Sequence, residues 1–208
     1  GLPLWSVSSS GNTGHVEFSD IDIGQGGSFV VSGKYSGGLV LDTLALPTIP
    51  GNLSAGFLAA FSSDGHIRWA EPLQSAAHCA LTDVALDIHG NTYAAGWHLS
   101  DSLGIAGQWV VNTRPYFKLF VLRASPAGMI DWLEASGAST GGNSTSEFLE
   151  IGILNDDRLF LLENVKTDSL FVSGDTLYPV NQSFEIWLME MDAQAGKLKR
   201  FERVGSER

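Results

Sequence analysis

Three short apolar runs recur along the chain, and each of them ends at a polar turn that contains glycine. The runs are shorter than most helices, and their residues are apolar at odd and even positions alike. A strand that is apolar on both faces has to be covered on both sides by other parts of the protein. The pattern therefore predicts buried central strands over 56–61, 118–122 and 186–191.

A hairpin pattern precedes each apolar run. A strand-like segment leads into a turn rich in Asp, Asn or Gly, and a second segment rich in apolar, β-branched or aromatic residues follows, which is typical of a β-hairpin. The predicted hairpins lie at 18–33, 81–96 and 148–162. A variable arm separates each hairpin from its apolar run, at 39–46, 103–111 and 170–177, and has room for one more small hairpin.

The same pieces return in the same order, which indicates an internal repeat of about 64 residues. In each copy an aromatic residue follows the turn glycine. The pairs are Gly65 with Trp69, Gly128 with Trp132, and Gly196 with Phe201.

We therefore predict an all-β chain that forms a single repeat domain over 1–208. Its three four-stranded units lie at about 10–72, 73–135 and 136–205, and each carries an arm. Residues 3–9, which include Leu4 and Trp5, match the tail of a preceding copy and are predicted to form an extra strand.

The second unit carries a family likeness. Its segments 82–87, 90–96, 120–122 and 128–132 resemble the bacterial β-propeller repeat of Bacteroidetes surface and secreted proteins, the SBBP-type repeat. The first unit matches it through 32–33 and 65–69. The third departs from it, with Glu163 and Asn164 in place of a small residue and glycine, and Phe201 in place of tryptophan. The resemblance implies propeller blades, a secreted or cell-surface location and no catalytic residue.

Three blades do not easily close a ring, since propellers have four to eight blades around a channel. Two chains can pair as a homodimer, or the chain can be part of a longer propeller. A threefold β-prism is the alternative fold, and it needs no partner.

Charge and hydropathy narrow the range of partners. The formal net charge is −11, so we expect no nucleic-acid partner. No apolar run is long enough to cross a membrane, and no insertion is expected. The sequence shows no signal peptide, so the expected export rests on the resemblance. The lone Cys79 makes no internal disulfide and is expected to be a buried apolar residue.

No metal, cofactor or catalytic group is expected. The acidic residues near the hairpin turns lack the spacing of a calcium loop, and bonding to their own backbone accounts for them. The five histidines show no zinc-like spacing, and there is no nucleophile elbow.

Three residues of the second unit are candidate ligand contacts. Trp97 and Trp109 do not recur in the other copies, and His98 adjoins Trp97. A tryptophan that does not serve the repeat offers a flat apolar face to a sugar or a protein. We expect a non-catalytic extracellular or cell-surface interaction or scaffold module that binds a protein or glycan. The alternatives are a carbohydrate-binding protein and a propeller-type hydrolase or lyase.

Overall fold

The computed structural model describes residues 9–10, 14–111, 118–135, 137–138, 145–154, 157–166, 170–172, 174–178 and 185–206. These residues form several antiparallel sheets, with a single 3-10 turn at Gln25–Gly27. The predicted all-β class is therefore confirmed. In this described part of the chain, no helix is long and apolar enough to span a membrane.

The first unit contains a four-stranded sheet and a smaller arm. Its strands are β1 (Ser9–Ser10), β2 (Val16–Ile23), β3 (Phe29–Tyr35), β4 (Gly37–Leu41), β5 (Leu44–Ile49), β6 (Ala55–Phe61) and β7 (Ile67–Pro72). Strands β2, β3, β6 and β7 pair in that order as sheet 1, and β1, β4 and β5 form the three-stranded arm. Residues 3–8 of the predicted extra strand lie outside the described residues.

The second and third units repeat this order. The second has β8 (Gln74–Ser75), β9 (Cys79–Leu86), β10 (Thr92–His98), β11 (Ser102–Ile105), β12 (Gln108–Val111), β13 (Lys118–Ala124) and β14 (Ile130–Ala135). The third has β15 (Gly137–Ala138), β16 (Thr145–Leu154), β17 (Arg158–Lys166), β18 (Leu170–Val172), β19 (Asp175–Leu177), β20 (Glu185–Asp192) and β21 (Leu198–Ser206). Sheet 2 is β9, β10, β13 and β14, and sheet 3 is β16, β17, β20 and β21.

Sheet 2 lies between the other two sheets and is buried on both faces. Because neighbouring residues of a strand point to opposite faces, each of its central strands serves two cores. In β10, Ala94 belongs to the core shared with sheet 1 and Ala95 to the core shared with sheet 3. In β13, Phe120 and Val121 divide in the same way. This is why the apolar run is continuous, as the sequence pattern predicted.

Phe201 follows its turn glycine by five residues, whereas Trp69 and Trp132 follow theirs by four, and this changes which side chain takes the repeat position. Arg200, not Phe201, stands where Trp132 stands in sheet 2, and it forms an ion pair with Glu190. Phe201 points to the opposite face, where its ring lies 5.5 Å from that of Trp187. The prediction that Phe201 replaces the repeat tryptophan is therefore wrong, because a one-residue shift reverses the face of a strand.

Candidate functional site

Neighbouring sheets are joined along their first strands, β2, β9 and β16, by aspartate side chains. Each carboxylate accepts a hydrogen bond from the backbone of the next sheet. The bonds run from Val84 N–H to Asp20 (3.1 Å), from Leu86 N–H to Asp22 (2.7 Å) and from Ile151 N–H to Asp83 (2.6 Å). We call this contact the inner seam. Because Asp20 and Asp83 hold equivalent positions, the same bond recurs at both sheet interfaces.

The inner seam also brings two carboxyl groups together. Burial, and then the hydrogen bond with Asp20, raise the pKa of Asp83 to about 8. Burial acts to raise the pKa of Asp20 too, but hydrogen bonds from Asp83 and from the Val84 N–H outweigh it and lower that pKa. Asp83 is therefore protonated at neutral pH, and its O–H donates a hydrogen bond to the carboxylate of Asp20.

The prediction that bonding to their own backbone accounts for the acidic residues near the hairpin turns is correct only in part. Asp20, Asp22 and Asp83 lie within strands, and they bond the backbone of a neighbouring sheet as well as their own. Asp87 is a turn residue as predicted, since its carboxylate accepts the N–H groups of His89 and Asn91.

A second contact, the outer seam, joins the far edges of the sheets. The indole of Trp69 covers Gly128 of sheet 2, where an added Cβ would come within 2.8 Å of the ring. The indole of Trp132 covers Gly196 of sheet 3, where the distance is 2.7 Å. Both rings also donate their N–H to a carbonyl of the adjacent turn, at 3.1 Å. Trp69 is buried in the core between sheets 1 and 2, and the partly buried Trp132 packs against the core between sheets 2 and 3.

Glu163 interrupts the repeat inside the core between sheets 2 and 3. It stands opposite Trp187, in the position that Gly96 takes opposite Phe120. The side chain is 1% exposed, and neither carboxyl oxygen has a hydrogen-bond partner among the described residues. Burial raises the pKa of Glu163 to about 8, so the group is neutral at pH 7.

A cavity of about 180 Å³ lies between sheets 1 and 2, and no sequence argument anticipated it. Its origin is visible when the repeats are aligned on the observed register. Sheet 1 pairs Phe29 with Phe61 and sheet 3 pairs Leu159 with Met191, whereas sheet 2 pairs Thr92 with Ala124. The two small residues of sheet 2 leave space that large side chains fill elsewhere. Thr92 at an otherwise large apolar position was the signal that the sequence held.

Trp109 presents an exposed indole on the arm of the second unit. It lies on β12 opposite Gly104 of β11, and an added Cβ on Gly104 would come within 2.8 Å of the ring. One face of the indole therefore rests on the glycine, and the side chain is 54% exposed. Val111, two residues further on the same strand, is also exposed.

The other two candidate residues lie in sheet 2 itself. Trp97 is half-buried in β10, and the adjacent His98 is fully buried on the opposite face, 6.2 Å from the ring of Phe120. Burial, helped by the nearby charge of Lys118, lowers the pKa of His98 to about 4, so its ring is neutral at pH 7. The three candidates thus divide between sheet and arm, and Trp109 has the most exposed ring of the three.

The described residues include no group of three or more His, Cys, Asp or Glu side chains arranged to hold a metal ion. Comparison with known protein families found no matching family model, and comparison with curated proteins found no match. The resemblance to the propeller repeat therefore stays a prediction.

Proposed function

We propose that the three four-stranded sheets are propeller blades. Two observations favour blades over the three walls of a β-prism. Sheet 2 is covered on both faces, whereas a wall of a prism turns only one face to the common core. The inner and outer seams also join successive sheets at both edges, as in blades arranged around an axis.

The first blade has a free apolar face. Phe18, Ile21 and Ile23 of β2 are 52%, 55% and 68% exposed. Their counterparts in β9, which face sheet 1, are all packed into the core between sheets 1 and 2. We propose that this face packs against a further blade, supplied by a second chain or by a longer chain.

The solution mass tests how the face is covered. The chain has a mass of 22.3 kDa, and a stable species of twice that mass supports a homodimer. Ile21→Lys places a charge in the centre of the face and should return such a dimer to the monomer. A monomer for both proteins favours blades supplied by a longer chain, and light scattering distinguishes the two cases.

The proposed activity is non-catalytic binding of a partner protein or glycan, in a secreted or cell-surface setting. The observation that carries it is the indole of Trp109, which Gly104 supports on one side and which is open to solvent on the other. A flat ring held in place loses little side-chain entropy on binding, and such rings recur at the centre of interfaces.

A carbohydrate ligand is the second candidate, and the same indole favours it, since an open aromatic face also suits a sugar. For a hydrolase or lyase, the described residues offer Asp20 and Asp83 as a hydrogen-bonded pair of acids. Their oxygens accept backbone N–H groups across the inner seam, so we assign them to joining the sheets.

A glycan array and site-specific crosslinking test the proposal together. Binding to a glycan that Trp109→Ala abolishes supports the carbohydrate form, provided that circular dichroism is unchanged. A photo-crosslinker at Val111 should capture a partner on the cells that produce the protein, and a crosslinker at the exposed Met129 is the control. Equal capture at both positions, with no effect of Trp109→Ala on the array, contradicts the assignment of the arm as the binding surface.

A further inference from the structure

The cavity between sheets 1 and 2 has three features of a small-molecule site that the outer seam does not require. The first is its origin in a departure from the repeat. The positions that hold Phe29 and Phe61 in sheet 1 hold Thr92 and Ala124 in sheet 2, and the space remains open.

The second feature is an unpaired cation. Eight other described Lys and Arg side chains lie within 4 Å of a carboxylate. They are Lys34, Lys118, Arg123, Arg158, Lys197, Lys199, Arg200 and Arg203. Arg68, which lines the cavity, has no such partner among the described residues. In a chain of net charge −11, a guanidinium kept apart from carboxylates is available for a ligand.

The third feature is a buried hydroxyl group. Thr92 lines the cavity and is 1% exposed, and its Oγ1 has no hydrogen-bond partner among the described residues. An unmet buried hydroxyl costs free energy unless a ligand or water bonds it. Gln25 and Ser28 add polar groups at the same wall, and Trp69 adds an aromatic one.

We propose that this cavity binds a small carboxylate carried on a hydroxylated, sugar-sized body, of which a hexuronate is the simplest case. The planar guanidinium of Arg68 takes the carboxylate, because its N–H donors match the two oxygens of that group. Thr92 and the other polar side chains bond the hydroxyl groups. Trp69 and Leu86 cover the apolar face of the ring. The cavity volume fits a single sugar residue, so a sugar within a long polysaccharide would not enter.

Isothermal titration with glucuronate, glucose and benzoate tests each part of the ligand. Glucuronate should bind, glucose should bind at least tenfold more weakly because it lacks the carboxylate, and benzoate should bind more weakly because it lacks the hydroxyl groups. Glucose binding as tightly as glucuronate overturns the role of Arg68, and no detectable binding of glucuronate at millimolar concentration overturns the site.

Two variants locate the binding. Thr92→Leu installs the leucine that sheet 3 carries at this position and should abolish glucuronate binding by filling the cavity. Arg68→Gln should weaken binding at least tenfold. Lys199→Gln is the matched control, because it removes one positive charge from the equivalent position of sheet 3 and should leave affinity unchanged. If Thr92→Leu fails to fold, Arg68→Gln decides alone, and binding that survives it overturns the proposal. Trp109→Ala, which tests the arm, should have no effect on this titration, so the two sites fail or succeed separately.

Discussion

Replacing the buried carboxyl of Glu163 should change how the stability of the protein depends on pH. The folded chain holds its proton up to a pKa of about 8, whereas the ordinary glutamate value is 4.5. Between these two values the unfolded chain has released the proton and the folded chain has not. Stability from this group is therefore full below pH 4.5, falls as pH rises, and is lost once pH passes about 8.

The size of the effect follows from the width of this window. Each pH unit of difference in pKa is worth about 1.4 kcal/mol, so the whole window amounts to about 5 kcal/mol. At pH 7 most of that loss has already occurred, about 3 kcal/mol. Glu163→Gln keeps the size and polarity of the side chain and cannot ionise. It should match the wild type near pH 4.5 and be more stable by about 3 kcal/mol at pH 7.

Urea denaturation at half-unit steps from pH 4.5 to 8.5 measures the difference. Asp83 also titrates in this range, and subtracting the two curves removes its contribution because both proteins contain it. Glu17→Gln is the control, since Glu17 is exposed and its pKa is lowered by Lys34. This control should show no gain in stability as pH rises through the same window.

A difference between Glu163→Gln and the wild type that stays constant from pH 5 to 8 would refute the reasoning. It would mean that Glu163 titrates at its ordinary value, and that the side chain finds a partner or water in the folded protein. A gain in stability that keeps growing above pH 8 would place the folded pKa of Glu163 higher than about 8.

The two seams give further predictions. Trp132→Ala should lower the free energy of unfolding by about 3 kcal/mol, because it strips the ring from Gly196; a loss under about 1 kcal/mol in urea denaturation contradicts this. Gly128→Ala, at a φ of 84°, should reduce the melting temperature in calorimetry, since a Cβ there collides with an indole; an unchanged melting temperature would count against the outer seam. Asp83→Asn should stay within about 1 kcal/mol of the wild type at pH 7, because an amide also donates to Asp20; a loss of several kcal/mol would show that Asp83 is ionised.

The sheets could be predicted from the sequence because each strand pattern lies within one short segment of the chain. A run such as 118–122, apolar at every position, is explained only by cover on both faces, and sheet 2 has that cover. The turn glycines and the tryptophans at 69 and 132 recur at one spacing, which already marks them as core.

The seam contacts and the cavity could not be predicted from the sequence, because they depend on which residues of neighbouring sheets come into contact. Asp20 is a polar residue near a turn in the sequence, and only the stacking of the sheets gives its carboxylate the Val84 N–H. The exchange of Phe201 for Arg200, by contrast, could have been read from the spacing, because Phe201 follows its glycine by five residues and both tryptophans follow theirs by four. Of the predicted site residues, Trp109 has the exposure that the hypothesis needs, and His98 lies inside the fold.

The two seams also affect how such a chain gains units in evolution. The first two units each carry an acid on the first strand and a tryptophan on the last, and the following unit meets them with a backbone N–H and a bare glycine. A duplicated unit inserted between two others would meet matching contacts on both sides without any new substitution. Gain or loss of whole units is therefore a short evolutionary step for this architecture.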